Sequence, residues 1–321
     1  MTAALRSQPQ FAFVLALIMI LLAACGAGSV APPTAAPAPL NPVALAAGEK
    51  LRVVATTSII GDVARQVGGD HIDLAILIAA GQDPHSYEPV AADTGAIEAA
   101  HVVFVNGLDL EESLLSILES VQGRVPVVAV SDGVDLIPLA DAGGFDPHVW
   151  QDPSNVMIWA DNIARALSAL DPASAPIYAA NANAYRAKLD ALDKDITRRL
   201  SVIPADRRKL VTNHDALAYF ARRYDLRLIG TVYRGADNVA EPSAGQMADL
   251  IKTIQAENAN AIFVENTISP ALAETIAAEV GRPIKILALY SDALDTPGAP
   301  GDTYIGMMRA NAAIIVEGLS R

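Results

Sequence analysis

Short apolar runs alternate with helix-like segments along this chain, and the pattern runs through once and then restarts at Lys209. No other feature narrows the possible folds as much. Leu51–Thr56, Ile72–Ile78, His101–Val105 and Val125–Val130 read as strands, with helical spacing predicted over Ser58–Val67, Thr94–Ala100 and Glu111–Val121. Near-continuous apolar strands separated by helices belong in parallel sheets covered on both faces. After Lys209, strands are expected at Leu210–Thr212, Leu226–Thr231, Ala261–Glu265 and Ile284–Leu289. Helices are expected over Ala216–Tyr224, Ala244–Ala256, Pro270–Val280 and Tyr304–Leu319. The expected fold class is α/β, with two similar lobes, each a mainly parallel four-stranded sheet flanked by helices. Between them, Pro172–Leu200 carries Tyr178, Tyr185, Leu189, Leu192, Ile196 and Leu200 at helical spacing on one face. A helix of that length spans about 40 Å, enough to run along both lobes and join them rigidly.

The N-terminus follows none of this grammar. Arg6 precedes an uncharged apolar run from Phe11 to Ala24, short of the roughly 20 residues that a bilayer span needs. The run ends in Leu22-Ala23-Ala24-Cys25-Gly26, small residues before a cysteine, as in a bacterial lipobox. Residues 1–24 are therefore expected to be a signal peptide, with Cys25 the lipidated first residue of the mature protein. Residues 26 to 48, rich in Ala and Pro without periodicity, should form a tether rather than a core. The expected domains are a lipidated cysteine and tether over 25–48, an N-terminal lobe over 49–171, a linking helix over 172–201 and a C-terminal lobe over 202–321.

Cys25 is the single cysteine of the chain, so no intramolecular disulfide can form and any metal must be held by nitrogen and oxygen. A net charge of −13 repels nucleic acid, and no Lys/Arg cluster suggests a basic groove. The expectation is an extracytoplasmic monomer, attached to the cell membrane by its lipid, with no nucleic-acid partner.

Of the five histidines, three sit just past strand ends, where open α/β sheets place ligands. His85 lies in Gln82-Asp83-Pro84-His85, His148 in Phe145-Asp146-Pro147-His148, and His214 in Asn213-His214-Asp215. In the repeated Asp-Pro-His, proline fixes the backbone. The aspartate is placed to cap a turn, or to accept from an imidazole N–H and leave the other ring nitrogen for a metal. One such histidine is more often a satisfied loop residue; three in equivalent positions point to ligands. His71 and His101 lack this setting and read as structural or surface residues. A fourth ligand is expected from the second lobe. Asp292, after the strand ending at Leu289, is the first candidate, although an aspartate there is commonly a turn or N-cap residue; Glu265 is the second. Asp83, Asp146, Asp215, Glu241 and Glu265 are candidates to hold the ligands from behind.

Here the chain resembles the zinc- and manganese-binding solute-binding lipoproteins of ABC metal importers. The resemblance runs over essentially residues 50 to 321, through ATTSIIGDVARQVGGD, DPHSYEP, VVFVNGLDLE, DPHVWQDP, the long helix, LVTNHDALAYFARRYDL, IFVENTISP and LYSDAL followed by TYIGMMRAN. It implies two α/β lobes joined by a rigid helix, a metal buried between them, and a partner ABC permease with its ATPase. The family's histidine ligands match His85, His148 and His214, and its carboxylate matches Asp292. One departure stands out. Many zinc-specific members carry a long His- and acid-rich loop between the first two histidines, whereas Leu136–Gly144 is short and has no histidine.

Three imidazoles and a carboxylate suit four-coordinate Zn²⁺, and Mn²⁺ prefers harder oxygen donors, so zinc is the favoured cargo and manganese the alternative. Free imidazole titrates near ~6.5, so binding should weaken as pH falls through that range. Two other classes compete. A zinc hydrolase would use the three histidines with an open metal position, but His-Glu-x-x-His and Gly-x-Ser-x-Gly are both absent from the sequence. A surface adhesin is compatible with tethering, but no sequence feature encodes its partner surface. The chain is not expected to be an enzyme.

Overall fold

The computed structural model describes residues 39–139, 143–233 and 241–320. The signal peptide, Cys25 and most of the tether lie outside the described residues. Among those described, no helix is long and apolar enough to cross a membrane.

The first sheet is built from β1 (Leu51–Thr57), β2 (Ile72–Ile78), β3 (Val102–Val105) and β4 (Val127–Ala129), all parallel, in the order β2-β1-β3-β4. The second sheet contains β5 (Lys209–Thr212), β6 (Arg227–Thr231), β7 (Ala261–Glu265) and β8 (Lys285–Leu289), again parallel, in the order β6-β5-β7-β8. The two orders are the same permutation, which is the structural counterpart of the restart at Lys209. In each sheet the chain reverses its direction of winding between the two central strands, and a crevice opens there beyond the strand ends.

The covering helices are α1 (Ser58–Gly68), α2 (Ala91–Ala99) and α3 (Leu115–Ser120) in the first lobe. In the second they are α6 (Ala218–Tyr224), α7 (Ala244–Ala256), α8 (Ala271–Glu279) and α9 (Tyr304–Leu319). Local chemistry sets several of their starts. Thr57 caps α1 by accepting from Ile60 N–H, Thr303 caps α9 through Gly306 N–H, and Ser243 and Gln246 form a capping box on α7. The region read as one helix over Glu111–Val121 begins instead as a 3₁₀ turn, Glu112–Leu114, before α3. The Glu111 carboxylate there turns away to accept from Thr56 Oγ1 and from Asn106 and Gly107 N–H.

Two long helices follow the first sheet along the chain. α4 (Pro153–Leu170) has Asp152 as N-cap with Pro153 in its first turn, and packs along α5 (Ala175–Leu200). The six apolar side chains singled out on α5 are all buried, and each of Lys188, Lys194, Arg198 and Arg199 is exposed. Asp193, buried on this helix, accepts from Arg223 Nε at 3.0 Å and Tyr224 Oη at 3.0 Å, which fastens α5 to α6.

Three apolar clusters hold the molecule together. One lies outside the first sheet, under α2 and α3, and another outside the second sheet, under α7 and α8. The third is continuous across both lobes. It takes the inner faces of both sheets together with α1, α4, α5, α6 and α9, and includes Trp150, Trp159, Tyr178, Tyr185, Tyr219 and Tyr304. The described residues accordingly fall in a single compact unit.

Candidate metal centre

Each Asp-Pro-His folds into the same turn. Asp83 Oδ1 accepts from His85 N–H at 2.9 Å, and Asp146 Oδ1 accepts from His148 N–H at 2.9 Å, in both cases around the intervening proline. Asp83 also takes the Ser86 hydroxyl at 3.0 Å. Asp146 does more: its Oδ1 lies 2.7 Å from His148 Nδ1. In the second lobe Glu265, the last residue of β7, performs the same double task from another strand. Its Oε1 accepts from His214 N–H at 3.0 Å and lies 2.6 Å from His214 Nδ1. His214 stands just past β5, so this pair spans the two central strands at the point where the winding reverses.

A carboxylate on Nδ1 selects the tautomer with hydrogen there and leaves Nε2 as a bare donor. The Nε2 atoms converge. His148 Nε2 is 3.1 Å from His85 Nε2 and 3.1 Å from His214 Nε2. Asp292, past the end of β8, faces the same point with both oxygens: Oδ1 lies 3.6 Å from His148 Nε2 and Oδ2 3.5 Å from His214 Nε2. One ligand atom from each of His85, His148, His214 and Asp292 falls within 4.8 Å of the others. Two donors bound at 2.0–2.1 Å to one tetrahedral ion sit about 3.4 Å apart, so these spacings suit a shared cation.

Burial sharpens the arrangement. His148 and His214 are 0% exposed and Asp292 is 1% exposed; His85 is half-buried. Asp292 Oδ1 has no hydrogen-bond partner, and Oδ2 shares the Ser291 hydroxyl (3.1 Å) with Glu265 Oε2 (2.8 Å). Burial raises the Asp292 carboxyl to about 6, against the pull of His214 and His148. His85 is pushed down to about 2 by burial and by the neighbouring imidazoles. Burial also works against a charged His214, but the carboxylates of Asp292 and Glu265 prevail and lift it to about 9. Glu265 moves the opposite way: despite its burial, His214 holds it below the ordinary carboxylate range.

The remaining candidates are placed less centrally. Asp215 is half-buried with Oδ1 unpartnered, and burial and the nearby Asp146 raise its carboxyl. Glu241 is exposed, ahead of the Ser243 cap of α7, and is not brought to the cluster. His71 lies 3.0 Å from Ser174 Oγ, and His101 Nδ1 accepts from Arg52 N–H at 3.1 Å, both outside the cluster. Sequence reasoning assigned no role to Ser291, Trp150 or Tyr219. Trp150 Nε1 and Gln151 Nε2 both donate to Ser291 O, at 2.7 and 2.8 Å, tying the His148 loop to the Asp292 loop. No motif in the chain foretells these contacts, because they join segments about 140 residues apart.

Comparison with known proteins gives a consistent result. The profile of the family described as zinc-uptake complex component A, periplasmic (ZnuA), matches residues 53–318. The manganese-binding lipoprotein MntA of Halalkalibacterium halodurans is 33% identical over 97% of this chain and 98% of its own length. The iron ABC transporter substrate-binding lipoprotein MtsA of Streptococcus pyogenes serotype M1 is 35% identical over 86% of this chain and 91% of its own. Among solved structures, the periplasmic zinc-binding protein TroA from Treponema pallidum superimposes with a TM-score of 0.81 at 32% identity, covering 85% of this chain and all of TroA.

Proposed function

We propose that this chain, which belongs to the family of periplasmic zinc-uptake component A, captures a divalent transition metal outside the cytoplasm and delivers it to an ABC importer. Its partners are a membrane permease and the attached ATPase, and its relatives are lipoproteins and substrate-binding proteins of such systems. His85 and His148 from the first lobe (49–171) and His214 and Asp292 from the second (202–321) are the ligands, with the linking helix between. Asp146 and Glu265 hold two of the imidazoles from behind. Cys25, in its lipobox, is the point of attachment to the membrane. The observation that carries this reading is the convergence of four donor side chains, from four loops far apart in sequence, on one buried point.

Zinc is the favoured cargo, because a donor set dominated by imidazole holds zinc more tightly than manganese. Manganese is the second reading, supported by the two Asp292 oxygens that both face the imidazoles. Together with three nitrogens they offer five donors, and manganese favours more and harder oxygen ligands. A hydrolase needs an open coordination position beside three protein ligands; a fourth ligand in so buried a place argues against it.

Metal analysis of the isolated protein, followed by competition between Zn²⁺ and Mn²⁺, tests the proposal. One equivalent of bound metal is expected, lost on substitution of any of the three histidines. A protein that binds neither ion at micromolar concentration would sink it.

A further inference from the structure

The loop that brings His148 to the cluster is preceded by a short antiparallel pairing of Ile137–Leu139 with Gly144–Asp146. Asp146 N–H donates to Ile137 O at 2.8 Å, Leu139 N–H donates to Gly144 O at 3.2 Å, and Pro138 and Phe145 form a bridge. The reciprocal bond, from Ile137 N–H to Asp146 O, is replaced. The hydroxyl of Tyr219 sits between the two groups, accepting from Ile137 N–H at 3.0 Å and donating to Asp146 O at 2.9 Å. Tyr219 comes from the other lobe, in α6, five residues after His214, and is 0% exposed. Its neighbour on the helix, Arg222, lies with its guanidinium 5.1 Å from the Tyr219 ring centre and donates to Asp135 O at 2.9 Å, gripping the same segment upstream.

We propose that Tyr219 is a positioning residue for metal capture: inserted into the Ile137–Asp146 pair, its hydroxyl fixes the aim of the Asp146 carboxylate and hence the ring of His148. The inference rests on the metal-capture reading above. Asp146 O and Asp146 Oδ1 belong to one residue, so a hydroxyl that sets the backbone of Asp146 also sets the side chain holding His148 N–H and Nδ1. The chain from His214 to Tyr219 is short, so the same contact keeps His148 in register with His214 across the lobes. Burial pushes the phenol up to about 12, so the hydroxyl keeps its hydrogen at neutral pH.

The test compares Tyr219→Phe with Tyr178→Phe in the full mature chain. Tyr178 is equally buried, but its hydroxyl serves Asp171, in the turn between α4 and α5. Co²⁺ is the spectroscopic probe, and its release to a chelator is followed by stopped flow. Tyr219→Phe should speed release about ten-fold, the effect of one to two hydrogen bonds, and change the visible Co²⁺ spectrum. Tyr178→Phe should lower the melting temperature as much as Tyr219→Phe does, yet leave release within two-fold of the parent and the spectrum unchanged. Asp146→Asn combined with Tyr219→Phe should cost less than the product of the two single effects, since both act through one group. Unchanged release in Tyr219→Phe, equal acceleration in both tyrosine variants, or strict multiplicativity with Asp146→Asn would each overturn the proposal. A parent chain that binds no Co²⁺, Zn²⁺ or Mn²⁺ would instead overturn the metal-capture reading on which it stands.

Discussion

Raising the pH from 6 to 8 should tighten metal binding by about a hundred-fold, and the cause lies in His214. In the metal-free protein Asp292 and Glu265, working against burial, raise this imidazole to about 9. At neutral pH it carries a proton that the metal must displace from Nε2. Each proton released makes affinity change about ten-fold per pH unit. His85, pushed down to about 2 by burial and its imidazole neighbours, is already bare and adds nothing to the slope. Asp292, raised by burial to about 6, adds a second proton only below that pH. The logarithm of affinity should therefore be flat above about pH 9, rise with unit slope between about 6 and 9, and steepen below about 6. This places the window above the one expected from free imidazole, near ~6.5, because two carboxylates face His214 in the fold. Titration calorimetry in buffers of different ionisation enthalpy, with Zn²⁺ or Mn²⁺ as ligand, counts the protons directly. About one proton should be released at pH 7.5. Release of none, with affinity constant between pH 6.5 and 8.5, would refute the reasoning.

Other consequences are simpler to measure. Asp292→Ala should weaken metal binding by at least ten-fold in a chelator-competition assay, whereas His101→Ala should leave it within two-fold, since His101 Nδ1 only accepts from Arg52 N–H. The metal-free protein should lose melting temperature as pH rises from about 5 to 9. His214, Asp292 and Glu111 all have folded values raised above their unfolded ones, to about 9, 6 and 7, so the stability each gives at low pH is lost as pH climbs through those values. Metal should reverse that trend, and the thermal shift it produces should be larger at pH 8 than at pH 6. Leu189→Ala, in the fully buried stripe of α5, should cost about 2–5 kcal/mol in chemical denaturation. Its unfolding should remain one transition, because the cluster it leaves spans both lobes.

The parts of this molecule that sequence displayed are those governed by local periodicity. Every one of the eight strands is found, within a few residues, where apolar runs of β length lie between helix-like segments. The apolar stripe of α5 is visible as a period. Asp-Pro-His is visible twice because a proline and an Asx turn act within three residues. α4, Pro153–Leu170, is absent from the expected helices although Val156, Trp159, Ile163, Leu167 and Leu170 recur at helical spacing on its buried face. Glu265 is the second candidate ligand in the sequence, but the fold turns its carboxylate on His214 Nδ1 and N–H, while Asp292 takes the place among the Nε2 atoms. Both end up in the same crevice, and only three-dimensional placement distinguishes a carboxylate among the Nε2 atoms from one behind an imidazole.

What stayed hidden shares one physical property. Tyr219 to Asp146, Trp150 and Gln151 to Ser291 O, Tyr304 Oη to Trp150 O and Leu294 N–H to Ser58 Oγ each join segments between 73 and 236 residues apart. All use a backbone carbonyl or N–H on one side, and a backbone group gives no sign in the sequence of who will pair with it. Such contacts follow from a shared core that brings the inner faces of both lobes together. That core also explains why they matter for a cation site. Imidazole and carboxylate donors bind one ion together only when their loops are held to within a fraction of an ångström, and the loops here come from both sheets. A hinge between lobes with separate cores would leave that alignment to the ion alone. Here the continuous cluster and the cross-lobe hydrogen bonds hold His148, His214 and Asp292 in place through the protein itself.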